Sequence, residues 1–105
     1  MDETIRLLLD DIKSSLNITW SDKATDDRVG GFIRSGIAFL NKKCGCEADY
    51  LSEGYPRMLL FEFVRYARDN ALDVFEDNYL SWILAMQREK AVMAYAETAS
   101  VSSEE

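Results

Sequence analysis

The side chains able to do chemistry in this chain are few, and their spacing suits few reactions. Cys44-Gly45-Cys46 leaves a single residue between two thiols, and the chain has no other cysteine. Structural zinc sites need four ligands at wider spacings, and no second cluster completes a set. Histidine is absent, which removes the commonest general base and the commonest metal ligand. Asp10-Asp11 and Asp26-Asp27 are adjacent carboxylates, yet neighbours on a helix point about 100° apart, so neither pair converges. They read as a solvated face and as partners of a helix dipole. Glu62, Arg65 and Asp69 stand at ion-pair spacings on one helix. Asn17-Ile18-Thr19 spells a glycosylation acceptor with no secretory signal ahead of it. Trp82 and Met86 are one turn apart, but nothing polar converges there to hold a ligand. The residues therefore predict no catalytic, cofactor-binding or metal-binding set. Cys44 and Cys46 read as small residues flanking a helix-ending glycine, and the sequence assigns them no role.

The elements that carry these residues belong to one folded unit. A chain of 105 residues is long enough for one modest core. Hydrophobic residues make up 48% and charged residues 30%, proportions that argue against wholesale disorder. Twelve basic and nineteen acidic residues give a net charge of −7, the wrong sign for sequence-independent binding to phosphates. The charge is uneven: between Arg28 and Lys43 lie four basic residues and no acid. No apolar run approaches the roughly 20 residues that span a bilayer, so the expected compartment is the cytoplasm.

Apolar periodicity predicts an all-α fold, a small bundle of four helices spanning residues 1–97, followed by a mobile Ser/Glu tail at 98–105. Ile5, Leu8, Leu9, Ile12 and Leu16 make one stripe of a first helix. Residues 17–25 break the pattern and read as a loop carrying Trp20. A second helix is expected from near Asp26 and Asp27 to Lys42 and Lys43, with Val29, Phe32, Ile33, Ile37 and Leu40 as its apolar face and Gly45 as its left-handed terminator. Gly30, Gly31 and Gly36 each cost that helix about 1 kcal/mol relative to Ala. Gly31, Ser35 and Ala38 form a smooth stripe suited to close approach of another backbone. Pro56 suits the first turn of a third helix, whose apolar residues from Met58 to Ala67 cover most of its circumference. Asn78 is expected to cap a fourth helix with two apolar faces, one through Leu80, Ile83, Leu84, Gln87, Ala91 and Ala94, the other through Tyr79, Trp82, Met86 and Met93.

A small domain does not leave two such stripes in water, because each buried Leu or Phe contributes roughly 1.5–3 kcal/mol. Burial between subunits is the expectation, with Phe75, Tyr79, Trp82 and Met86 packed between neighbours. The basic second helix could instead read DNA, although its glycines, its lack of a polar reading set and the sign of the whole chain oppose that. A small helical DNA-binding or regulatory protein of phage or bacterial origin is the alternative.

Several segments, in order, carry a family resemblance: Leu16-Asn17-Ile18-Thr19-Trp20-Ser21-Asp22, Thr25-Asp26-Asp27-Arg28-Val29, Ile33 with Gly36-Ile37-Ala38-Phe39-Leu40-Asn41, then Arg65-Tyr66-Ala67-Arg68-Asp69-Asn70-Ala71-Leu72, Phe75-Glu76-Asp77-Asn78-Tyr79 and Leu84-Ala85-Met86-Gln87. Together they resemble the head–tail connector (adaptor) proteins of tailed bacteriophages over about residues 4–96. Cys44-Gly45-Cys46 is not part of the likeness. The resemblance implies a non-enzymatic, all-helical subunit of a homo-oligomeric ring, typically dodecameric in the virion. Such a ring docks under the portal, lengthens the DNA channel and offers a platform to a tail-completion or stopper protein. DNA would pass without sequence-specific binding, and subunits could stay monomeric until the portal templates them. No cofactor, metal or membrane is implied.

Overall fold

The computed structural model describes the backbone from Glu3 to Ser103 and the side chains through Tyr95. The described residues are helices and connections, with no strand among them. Helix α1 (Glu3–Ser15) buries Ile5, Leu8, Leu9 and Ile12, the stripe its spacing predicts, with Leu16 packed at the edge of the core. Asn17 ends it in the left-handed conformation (φ 60). The Ile18 N–H reaches the Lys13 carbonyl at 2.8 Å and the Asn17 N–H the Ser14 carbonyl at 3.1 Å, the paired bonds that satisfy a helix C-terminus. This turn delivers Ile18 into the core.

Helix α2 (Lys23–Cys44) begins earlier than the expected start near Asp26. Asp22 is the cap: its carboxylate accepts from the Thr25 N–H at 3.1 Å and the Thr25 hydroxyl at 2.9 Å. Val29, Ile33 and Leu40 are buried, with Phe32 and Ile37 packed against the core, so the expected face is the one used. Gly45 terminates the helix at φ 76, as its position predicts. Helix α3 (Tyr55–Arg68) opens with Pro56 in its first turn and closes with a second left-handed asparagine, Asn70.

The expected fourth helix is present as one helix, and the connection ahead of it holds two short elements that the sequence pattern did not predict. A 3₁₀ turn (Leu72–Val74) leads into the single turn α4 (Phe75–Asn78), and α5 (Leu80–Ser103) follows after Tyr79. Asn78 does not cap α5; it is the last residue of α4, and its side-chain amide donates to the Tyr66 hydroxyl at 3.1 Å. The backbone of α5 is helical through Ser103, which covers part of the expected tail, while the side chains of residues 98–105 lie outside the described ones.

Charged partners join the helices at their surfaces. Lys13 of α1 meets Asp26 of α2 at 2.6 Å, Arg57 of α3 meets Asp11 of α1 at 2.9 Å, and Lys43 of α2 meets Glu76 of α4 at 2.6 Å. Asp26 and Asp27 thus take separate cations, since Asp27 pairs with Lys23, and of the other pair Asp11 takes Arg57. Such pairs contribute at most about 1 kcal/mol each where exposed, so the apolar core carries the stability.

The radius of gyration is 15.8 Å and the longest extent 56 Å, against about 13 Å expected for a compact chain of 100 residues. The excess fits the length of α5, whose side chains from 88 to 95 are all exposed.

The smooth stripe of α2 is not where the chain packs backbone to side chain. A methyl group added at Gly31 would meet nothing within 4 Å, and Ser35 and Ala38 are exposed. The close approach is at Gly36, where an added Cβ would lie 2.7 Å from Leu60 Cδ1 and 2.8 Å from Phe63 Cδ1 of α3. Gly31→Ala should therefore stabilise the chain by about 0.5–1 kcal/mol through helix propensity alone. Gly36→Ala should destabilise it by about 1–3 kcal/mol despite the same propensity gain. Urea unfolding of both variants checks this, and equal stabilisation would show that α2 and α3 are not in tight contact at Gly36.

Candidate functional site

The short turn α4 places Phe75 at the meeting point of three helices. Its ring is 1% exposed and lies 5.4 Å from that of Phe63, 5.7 Å from Tyr66, 6.1 Å from Phe39 and 5.2 Å from Tyr79. Most of these contacts are edge-to-face, the arrangement that the ring quadrupoles favour. From Phe75 the aromatic series continues through Tyr79 to α5 and back to α3: Tyr79 lies 4.9 Å from Trp82, and Trp82 lies 6.4 Å from Tyr55.

Polar groups orient the middle of this series. Tyr79 donates its hydroxyl to Glu62 at 2.9 Å, and Glu62 also accepts from Arg65 Nε at 2.8 Å. A further bond runs from Arg65 Nη2 to the same carboxylate oxygen. Glu62 raises the pKa of Arg65 through this bonding. Burial, then the bond to Glu62, pushes the Tyr79 phenol up to about 12. Asp69 takes no part in the ion pair its spacing suggested; it ends α3, its own N–H bonded to the Arg65 carbonyl at 3.2 Å.

The expected interface set separates. Phe75 and Met86 (3% exposed) are core residues of the chain itself, so neither is available to a neighbour. Tyr79 and Trp82 are half-buried, with one edge against the core. The outer edge of Trp82 lines a groove of about 370 Å³ with Met58, Phe61 and Arg57. A second groove of about 420 Å³, between Tyr55 and the α5 residues Ala85, Arg88, Val92 and Met93, continues the seam of α3 and α5. Ile83 and Met86, assigned to two different faces of the fourth helix by sequence, are both buried, whereas Leu80 and Leu84 are exposed. Periodicity separates the faces of a helix but does not say which arc its own domain covers.

Leu7, Trp20, Leu51 and Met58 are exposed singly, and the longest series of exposed apolar residues lies along α5 and the turn before it. Leu72, Val74, Leu80 and Leu84 are exposed, and beyond them Val92 is 61% exposed and Tyr95 77%. Sequence reasoning passed over Leu72, Val74 and Tyr95; the available signal was three large apolar residues lying outside every stripe that the four-helix pattern used. Basic groups cluster elsewhere. Arg28 lies 5.5 Å from the Phe32 ring and shares a small cleft with Trp20, Thr25, Val29 and Arg68. Among the described residues no group of three or more His, Cys, Asp or Glu side chains is placed to hold a metal ion, and no helix is long and apolar enough to cross a membrane.

Two outcomes follow from this geometry. Phe75→Ala should cost about 3–5 kcal/mol, whereas Trp82→Ala, at a partly buried position, should cost clearly less. Urea unfolding of the monomer measures both, and equal losses would place Trp82 in the core. Because the folded-state pKa of Tyr79 lies above its ordinary 10.0, the associated stability is fully present below pH 10.0 and is lost as pH rises toward about 12. Tyr79→Phe should make the fall in urea midpoint across that window shallower; an unchanged slope would show that Tyr79 does not titrate with folding.

In comparisons with known proteins, no family model matches the chain, and neither a curated protein nor a solved structure matches it.

Proposed function

We propose that this chain is a structural head–tail connector (adaptor) subunit of a tailed bacteriophage, working in a ring under the portal. In this reading the four long helices act as a small bundle whose inner faces hold the monomer together. The outer surface of α5 and its seam with α3 then pack against a neighbouring copy or the portal. The ring would extend the DNA channel and offer a docking platform to a tail-completion or stopper protein. A wall carrying part of the net charge of −7 would repel phosphates and let DNA slide.

The observation that carries the reading is the exposed apolar surface of a helix with little of its own domain around it. Val92, Met93 and Tyr95 stand on a segment where every described side chain is exposed. Helices in proteins draw most of their stability from packing an apolar face, so this unpacked end of α5 gains from a partner. The family resemblance of residues 4–96 supplies the kind of partner.

The alternative, a small DNA-binding or regulatory protein, draws on α2 and its surroundings. Arg28, Arg34 and Arg68 form no ion pair among the described residues, and Trp20 is exposed beside two of them. That reading requires duplex binding with a steep salt dependence.

Electron microscopy of the purified chain mixed with its phage portal tests the proposal. A ring seated under the portal is the expected result. Val92→Glu combined with Met93→Glu should abolish that ring, while each change alters monomer stability by no more than about 0.5 kcal/mol. Salt-sensitive duplex binding by a dimer that ignores the portal would sink the connector reading.

A further inference from the structure

Cys44 and Cys46 bring their sulfurs to 2.8 Å of each other at the end of α2. The turn that does this is held by the backbone. Gly45 sits at φ 76, and the N–H groups of Gly45 and Cys46 both bond to the Asn41 carbonyl, at 2.8 and 3.2 Å. The Asn41 side chain secures the chain beyond the turn, its Oδ1 accepting from the Ala48 N–H at 3.0 Å and the Tyr50 hydroxyl at 2.6 Å. Both thiols are free and partly exposed. They line a groove of about 610 Å³ together with Met86, Lys90 and Met93 of α5, room enough for a small peptide disulfide to enter.

A disulfide bond is about 2.05 Å long, so closure needs the sulfurs to approach by less than about 1 Å. The chain has no third cysteine to compete. We propose that Cys44 and Cys46 are a reversible dithiol–disulfide pair, closed by exchange with a low-molecular-weight disulfide such as oxidised glutathione.

The thiolate of Cys46 attacks one sulfur of oxidised glutathione, whose S–S bond breaks to release one glutathione thiolate, which takes up a proton. The resulting mixed disulfide on Cys46 is attacked by the sulfur of Cys44 as that thiol gives up its proton. The second glutathione leaves, and the Cys44–Cys46 bond is formed. Two protein thiols have supplied two electrons, and one glutathione disulfide has become two glutathione thiols. Burial, then the contact with Cys46, pushes the Cys44 thiol up to about 11, which makes it the poorer first attacker and suits it to the intramolecular second step. A bridge between residues two apart stays reducible because so small a ring is strained. Closed, it would tie the last residue of α2 to the segment leading to α3, fixing one wall of the groove against α5.

The test equilibrates the full reduced chain with a glutathione redox buffer, folded and in urea, and reads free thiols and intact mass. The folded chain should lose both thiols together with the mass of two hydrogen atoms, run as a monomer without reductant, and recover with dithiothreitol. Its equilibrium constant for closure should exceed that of the urea-unfolded chain by about tenfold, because the fold holds the sulfurs together. Cys44→Ser should stop at one glutathionyl group on Cys46. Two stable glutathionyl groups on the native chain, a disulfide between chains, retention of both thiols, or a closure constant no larger than in urea would each overturn the proposal.

Discussion

Phe75 is held by rings from α2 and α3 and by Tyr79, the residue that joins α4 to α5, and the position of every later element follows from that. Phe39 and Phe63 face each other at 5.7 Å across α2 and α3, and Phe75 closes the space between them. The approach of α2 to α3 that brings those rings together is permitted at Gly36, where no side chain larger than hydrogen fits without displacing Leu60 or Phe63. A glycine in mid-helix is unfavourable by about 1 kcal/mol, and the aromatic cluster it admits recovers more than that through burial. Once Phe75 is seated, Tyr79 is fixed by Glu62 and Tyr66, and α5 must leave the body in the direction Tyr79 sets.

The helix ends show why some of this was legible in the sequence and some was not. Gly45 announces a left-handed terminator because glycine adopts positive φ without a Cβ penalty. Asn17 and Asn70 do the same work at the ends of α1 and α3, yet asparagine also occurs in loops, caps and exposed helix positions, so nothing in its identity marks the conformation. The start of α2 was misplaced for a related reason. The acids at 26 and 27 suit a first turn electrostatically, but Asp22 captures the Thr25 N–H and hydroxyl and begins the helix sooner. A direct hydrogen bond to an orphan N–H outweighs a diffuse dipole interaction.

The core faces of α1 and α2 were readable because each packs on one side. The last helix was not, and its two apolar stripes show why. Ile83 and Met86 are three apart, close enough on the helix surface to be covered together, and both are buried on a helix that contacts α2 and α3. The sequence pattern divided them because it sorted residues by period without knowing the crossing angle. Gln87, counted on an apolar face, instead donates to the Lys43 carbonyl at 2.9 Å and satisfies one of the open groups at the end of α2. The candidate interface changes as well: Phe75 and Met86 fill the core, Tyr79 and Trp82 are half-buried, and Val92, Met93 and Tyr95 further along are exposed.

This arrangement separates folding from association. The buried set from Ile5 to Met86 is closed by contacts within the chain, and no buried side-chain polar atom among the described residues lacks a hydrogen-bond partner. The monomer therefore has a complete core without its neighbours. The exposed stretch of α5 lies beyond that core, so a partner can cover Val92, Met93 and Tyr95 without reopening the aromatic cluster. Covering each such side chain contributes roughly 1.5–3 kcal/mol when burial is complete, against several kcal/mol of lost translational and rotational freedom per encounter. A single pairing through a few such residues is then weak. In the proposed ring each subunit would use the contact twice, and a template holding subunits side by side would lower the entropic cost further. A helix with a modest apolar surface projecting from a finished core would thus associate weakly through one contact and firmly only where several contacts act together.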